Sequence, residues 1–272
     1  MQGERIMKLK FAPIASSSSG NCIYIGTEYT NILVDAGLSG KKIEQGLSEL
    51  ELSGNDIDAV FVTHEHLDHV DGIGVLARRY NIPIYATEGT WNNMPAKIKV
   101  DSIRENLKKR VYADEYTIFN DLTIKPFSIP HDASEPVGYS ITTEKEKITI
   151  ATDIGHISES IIENAKGSSL LLIESNHDED MVRNGSYTYN LKQRILSDYG
   201  HLSNISAGNF LKDFADSKLK YVFLGHLSRE NNTPRVAFDT VKDIVTSSGI
   251  ELGGDFDMWV ASPYGVKRRV EF

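Results

Sequence analysis

The feature that most constrains this chain is the run Thr63-His64-Glu65-His66-Leu67-Asp68-His69, which follows the apolar residues 59–62. His64, His66, Asp68 and His69 set four potential metal ligands within six residues. In an extended segment His64 and His66, two positions apart, project to one side. Asp68 and His69 come as the next helix begins, where Asp is also a natural N-cap. Imidazoles and a carboxylate together suit zinc, and also iron or manganese. A lone histidine would be an ordinary polar strand end. Four such groups buried together without a cation would be costly.

Three later residues repeat the placement singly. His131 follows the apolar run 122–129, Asp153 ends the run 147–152, and His226 follows 221–224. Each alone fits an ordinary loop; three strand-end ligands after the dense cluster do not. Val-, Ile-, Tyr- and Phe-rich runs predict strands over 22–26, 31–35, 59–63, 82–86, 122–129, 137–142, 147–152, 170–174, 221–224 and 258–261. Helical spacing predicts helices over 41–50, 68–80, 159–164, 190–199, 204–215 and 233–248. Early strands come mostly in pairs, and later ones alternate with helices. That order suits an α/β fold with two packed sheets and helices outside, a four-layer αββα sandwich. The length of 272 residues, with 40% hydrophobic and 25% charged, is ordinary for a globular protein. We expect one domain over residues 1–272.

The order HxHxDH, His, Asp, His resembles the metallo-β-lactamase superfamily along nearly the whole chain. The resemblance implies two divalent metal ions, zinc first, with manganese or iron as alternatives. One would be held by His64, His66, His131 and Asp153, the other by Asp68, His69, His226 and Asp153, with Asp153 bridging. Glu65 would point away. A carboxylate in place of His66 would mark the iron-binding flavoprotein branch, which is disfavoured. Asp35, in Ile32-Leu33-Val34-Asp35-Ala36-Gly37, matches an aspartate that supports the metal histidines from behind. Ligand imidazoles need such an acceptor on their other nitrogen.

Further blocks are similar to the YycJ/WalJ group: Ser17-Ser18-Ser19-Gly20-Asn21-Cys22, Glu174-Ser175-Asn176-His177-Asp178, Leu191-Lys192-Gln193-Arg194-Ile195-Leu196-Ser197, Gly200-His201-Leu202-Ser203-Asn204 and Gly225-His226-Leu227-Ser228-Arg229-Glu230-Asn231-Asn232. This implies a metal-dependent 5′ to 3′ exonuclease acting on DNA, with RNA as an alternative substrate. His156 departs from the pattern, where a residue such as Tyr is expected. The implied chemistry is a metal-bridging hydroxide attacking phosphorus in line, with Asp68 orienting it. The rival reading is a metal-dependent hydrolase of a small molecule, such as a lactone, thioester or cyclic phosphodiester, because fold and metals do not fix the substrate.

His177 and His201 remain once the metal histidines are assigned. Their functional reading is phosphate contact or proton donation to the leaving oxygen. Asn176 and His177 lie just past the strand 170–174, on the side of the other strand-end ligands. His201, Ser203 and Asn204 precede a helix whose N-terminal amides can hold a phosphate, although capping by Ser203 accounts for part of that block. Asn176, His177, His201, Ser203 and Asn204 are therefore the substrate-binding candidates, and Asp68, His177 and His201 the catalytic ones.

Residues 16–19 read as a turn that can touch a ligand. Residues 97–110 carry Lys97, Lys99, Arg104, Lys108, Lys109 and Arg110, a stretch able to guide a nucleic-acid backbone, with a solvated face as the plainer reading. The net charge of −9 argues against non-specific nucleic-acid binding through the whole surface. A local patch, or dications at the site, would reverse that sign where it matters. The single cysteine, Cys22, rules out an intramolecular disulfide and favours a reducing compartment. The opening MQGERIMKLKF, in which Met7 is a candidate natural start, has no long apolar stretch, so no membrane association and a cytoplasmic location are expected.

Overall fold

The computed structural model describes residues 8–272, so Met7 lies outside the described residues. The first sheet contains β1 (Lys10–Ala15), β2 (Cys22–Gly26), β3 (Asn31–Val34), β4 (Ala59–Phe61), β5 (Ile84–Ala86) and β6 (Lys108–Arg110). The second contains β7 (Thr117–Phe119), β8 (Leu122–Ser128), β9 (Val137–Thr142), β10 (Lys147–Ala151), β11 (Leu170–Glu174), β12 (Tyr221–Gly225) and β13 (Asp257–Val260). The short strand β14 (Val270–Glu271) returns to pair with β1 and completes the first sheet. The orders are β14-β1-β2-β3-β4-β5-β6 and β13-β12-β11-β10-β9-β8-β7. Each sheet begins as an antiparallel meander and continues in parallel: β3 to β6 in the first, β10 to β13 in the second.

The period of two along a strand sorts the apolar residues into layers. In β3, Ile32 and Val34 enter the core between the sheets, whereas Leu33 faces outward. That inner core joins Phe11, Ile25 and Phe61 to Tyr139, Ile150, Leu172 and Phe223. Outside the first sheet, α1 (Gly40–Glu49) and α3 (Ile73–Tyr80) pack Ile43, Leu47 and Leu76 on Leu33, Val60 and Ile84. Outside the second, α5 (Glu159–Ala165), α8 (Asn204–Phe214) and α9 (Pro234–Ser247) pack Ile161, Leu211 and Val241 on Leu171, Ile173 and Val222. Each such side chain, fully buried, contributes about 1.5–3 kcal/mol. The result is the four-layer αββα sandwich. No helix of the described residues is long and apolar enough to cross a membrane.

All the strands read from the sequence are present, with ends that differ by a few residues. The helix expected over 68–80 is two: α2 (Leu67–Val70) and α3. They part at Gly72, whose N–H donates to Ala36 O at 2.7 Å. A Cβ there would lie 2.5 Å from Leu38 O, so the chain must be bare where it crosses that turn. Asp68 is not the N-cap; His66 occupies that position and Asp68 lies in the first turn. The remaining helices are α4 (Glu88–Asn92), α6 (Glu179–Asn184) and α7 (Tyr189–Ile195). α7 stops short of the expected residue 199, and His201 N–H then donates to Ile195 O at 3.0 Å, which turns the chain back toward the sheets.

Candidate metal centre

Parallel strands end at a common edge, and loops after them converge there. The segments after β3, β4, β10, β11 and β12 supply Asp35, His64 to His69, Asp153, Asn176 with His177, and His226. β8 runs antiparallel to β9, which is antiparallel to β10, so His131 reaches the same edge. Three of these strand-end residues have left-handed backbone: Asp35 (φ 61°), Asp153 (φ 57°) and His226 (φ 54°). That conformation costs about 1–3 kcal/mol per non-glycine residue and persists only where the surrounding structure enforces it.

On the first sheet's side the enforcing contacts are dense. Asp35 Oδ1 accepts the Thr63 N–H at 2.8 Å, and Asp35 Oδ2 lies 2.7 Å from His69 Nδ1. A carboxylate acceptor there keeps the proton on Nδ1 and turns Nε2 toward the centre. Thr63 Oγ1 donates to Asp35, which leaves it to accept from His64 Nδ1 at 3.0 Å. The turn after β3 lies directly against the histidine segment: Ala36 N–H donates to His69 O at 2.9 Å, and a Cβ on Gly37 would fall 1.6 Å from Asp68 O. Glu65 points away, accepting from Ser134 N–H and Oγ–H at 2.8 Å each.

On the second sheet's side one residue, Glu174, does the equivalent work. It is fully buried at the end of β11. Its Oε1 lies 2.8 Å from both His226 Nδ1 and His201 Nδ1. Its Oε2 accepts the N–H of Ile154 at 2.7 Å and of Leu202 at 3.1 Å. His226 is also held by its own N–H on Ser16 Oγ at 2.9 Å, and its carbonyl accepts from Asn176 Nδ2 at 2.8 Å.

Four overlapping sets of ligand atoms result: His64, His66, His131; Asp68, His69, His226; His64, His69, Asp153; and Asp153, Glu174, His201, His226. Asp153 lies between the two sides. Its Oδ2 is 3.2 Å from His69 Nε2, and its Oδ1 is 3.4 Å from His226 Nε2 and 3.8 Å from His131 Nε2. These residues fit a divalent cation. His64 Nε2 is buried without a hydrogen-bond partner, and a buried unpaired polar atom costs about 1–3 kcal/mol. His131 Nε2 also faces His66 Nδ1 at 3.3 Å, a separation that two ligands of one tetrahedral ion can have. Nitrogen and oxygen donors of this kind suit zinc, manganese or iron.

Electrostatics agree. Burial disfavours charge on His226, but Asp153, Asp68 and Glu174 outweigh it and push its pKa up to about 10. His69 is raised likewise, burial being overcome by Asp153, Asp35 and Asp68. Burial would raise Asp153, yet His226 and His69 hold it well below the usual carboxylate range. A cluster that attracts protons this strongly also attracts a dication, and metal uptake displaces those protons.

The other expected residues divide. His201 joins the centre at its mouth: its side chain is 20% exposed, and its ring lies 5.5 Å from that of His131 and 5.3 Å from that of His226. Burial opposes its charge, but Glu174 raises its pKa above the usual imidazole value. His177 belongs to none of the ligand sets; burial pushes it down to about 4, and its Nδ1 is unpartnered. Ser203 Oγ caps α8 by accepting the Ser206 N–H at 3.2 Å and donates to Glu179. Asn204 is buried, accepting from Ser175 Oγ at 2.6 Å and Asn232 Nδ2 at 2.9 Å, so its side chain ties loops together. His156 lies 2.9 Å from Asp198 O through Nδ1. Half of the cations of the basic stretch are neutralised locally: Lys97 pairs with Asp71, Lys108 with Glu105 and Arg110 with Glu88.

Sequence reasoning missed the parts played by Glu174, Thr63 and Asn21. Asn21 Nδ2 lies 3.1 Å from His69 Nε2 and donates to Ser17 O at 3.1 Å. Glu174 and Asn21 both stood inside the blocks that carried the resemblance, which was the available signal.

A profile described as "Beta-lactamase superfamily domain" matches residues 30–226. The chain is 38% identical over 257 residues to "Exodeoxyribonuclease YycJ" of Bacillus anthracis, covering 94% of this chain and 97% of that protein. It is 40% identical over 257 residues to "Exodeoxyribonuclease WalJ" of Streptococcus pneumoniae, covering 93% and 94%. In three dimensions it resembles the metallo-β-lactamase fold protein YhfI of Bacillus subtilis with a TM-score of 0.73 at 15% identity, over 97% of this chain and 100% of that one.

Proposed function

Because the chain belongs to the metallo-β-lactamase superfamily, a family of metal-dependent hydrolases, we propose that it is an exonuclease that hydrolyses phosphodiesters of DNA in the 5′ to 3′ direction. The observation that carries this reading is the near-full-length identity to two relatives named exodeoxyribonucleases. We further assign two divalent ions, zinc first, to the two ligand sets: His64, His66 and His131 with Asp153, and Asp68, His69 and His226 with Asp153. Bound there, they supply Lewis acidity at the phosphate and make water acidic enough to deprotonate near neutral pH.

The chain's own residues supply alignment and proton handling. Hydrolysis forms one P–O bond to water and breaks the ester P–O bond; water loses a proton and the leaving oxygen gains one. Asp68, with its side chain 27% exposed, is the most open carboxylate of the ligand sets and is the group to orient the water. Asp35 and Thr63 fix the His69 and His64 tautomers, and Glu174 fixes those of His226 and His201. His201, whose pKa Glu174 raises and whose ring is open to the mouth, is the better proton donor to the leaving oxygen. His177, neutral and buried, is left a positioning part at most.

The test is a digest of 5′- and 3′-labelled DNA by protein supplied with Zn²⁺ or Mn²⁺. Early release of the 5′ label is the expected outcome. Turnover of a lactone, thioester or cyclic phosphodiester with intact DNA would overturn the reading and leave the metal centre in place.

A further inference from the structure

Two segments beside the centre run side by side in parallel. Residues 16–19 and 226–229 run together, with Ser17 bridged to Leu227 and Ser18 N–H donating to Leu227 O at 3.4 Å. Their side chains open alternately onto two cavities. Ser18 and Ser228 line one of about 130 Å³, together with Asn176, Arg194 and His201. Ser17, Ser19 and Arg229 line another of about 290 Å³, together with Lys42 and Tyr264. The first belongs to the mouth already described. The second is a separate feature that the mechanism has not used.

The second cavity has an unusual charge for this molecule. The chain carries −9 overall, and three of the six cations of the basic stretch 97–110 are paired with acids. Lys42 and Arg229, both exposed, have no carboxylate partner among the described residues, and no carboxylate lines the cavity. Lys42 Nζ sits 5.0 Å above the Tyr264 ring, which is itself 44% exposed. Tyr264 is braced from below, its Oη donating to Gln45 Oε1 at 3.1 Å. The cavity is tied to the centre through few bonds: Ser17 N–H donates to Asn21 Oδ1 at 3.1 Å, and Asn21 lies 3.1 Å from His69 Nε2. Arg229 is three residues beyond His226.

Two unneutralised cations, hydroxyls and a part-exposed aromatic ring are the means by which proteins hold a single strand: charge for phosphates, a ring for a base. We propose that this cavity is the subsite for the phosphodiester backbone flanking the scissile bond, with Lys42 and Arg229 on its phosphates and Tyr264 against a base. The proposal rests on the nuclease reading above. It places the electrostatic guide here and not at residues 97–110.

The experiment is steady-state digestion of a single-stranded oligodeoxynucleotide by the metal-loaded protein across a salt series. For the variant Lys42→Ala/Arg229→Ala, KM should rise while kcat holds. The slope of log(kcat/KM) against log salt should become shallower by about 1.4, about 0.7 for each phosphate that no longer meets a cation. Lys42→Arg/Arg229→Lys should restore the slope. Tyr264→Ala should raise KM about tenfold with the slope unchanged. Unchanged KM and slope in the double alanine variant, with the wild type digesting DNA, would overturn the subsite alone. A loss of kcat, or a fall in melting temperature that tracks the KM change, would also overturn it, because either marks a structural role. A wild type that neither binds nor digests nucleic acid would overturn both the subsite and the nuclease reading.

Discussion

On the first sheet's side of the centre, His64, His66, Asp68 and His69 arrive on one segment, and Asp35 bonds that segment at two residues, Thr63 and His69. On the second side, His131, Asp153 and His226 arrive one per loop, and Glu174 holds three of the converging loops through Ile154, His201 with Leu202, and His226. A carboxylate set against one continuous segment corrects the aim of one imidazole. A carboxylate among separate loops sets their mutual position. The second side should therefore depend more on its carboxylate than the first.

Substitutions can break this comparison. Asp153→Ala removes the one group shared by both sides. Its digestion rate should fall to background, and metal content should drop at both sets. Near-normal turnover with both ions kept would show that the sides are independent. Glu174→Gln should cost roughly 100-fold in turnover, because an amide accepts less strongly from two imidazoles at once. Asp35→Asn should cost about tenfold, mainly in metal affinity, at the other end of the range for such outer partners. If metal titrations and rates reversed that order, the account of the two sides would be wrong. His177→Ala should keep both metals and lose less than about tenfold in kcat. The smallest effect is on Cys22, behind the first side. Burial and then Asp35 raise its thiol pKa far above the usual value. Thiol reagents should label it only as the protein unfolds, so its labelling rate should follow the unfolding rate in wild type and variants alike.

The same contrast decides what could be read from the sequence. The first side was legible because its candidate ligands are adjacent and their spacing suits strand and helix entry. The single ligands of the second side were legible only by their order after apolar runs. Glu174 was not, since a glutamate that ends a strand looks like any polar boundary until the loops it bonds are in place. β1 was missed because Pro13 interrupts its pattern; the strand tolerates it beside a register shift between Pro13 and Ala15. β6 was read as part of a basic stretch, but Lys108, Lys109 and Arg110 form an edge strand, where charge discourages further pairing. The helix 68–80 had the right period, yet contact with the turn after β3 split it at Gly72.

The most direct test is metal stoichiometry by elemental analysis, on wild type and on Asp153→Ala, after exposure to Zn²⁺ and removal of excess. The account predicts two ions per wild-type chain and a loss from both sets in the variant. A wild type that retains no ion, or a variant that retains two, would contradict it.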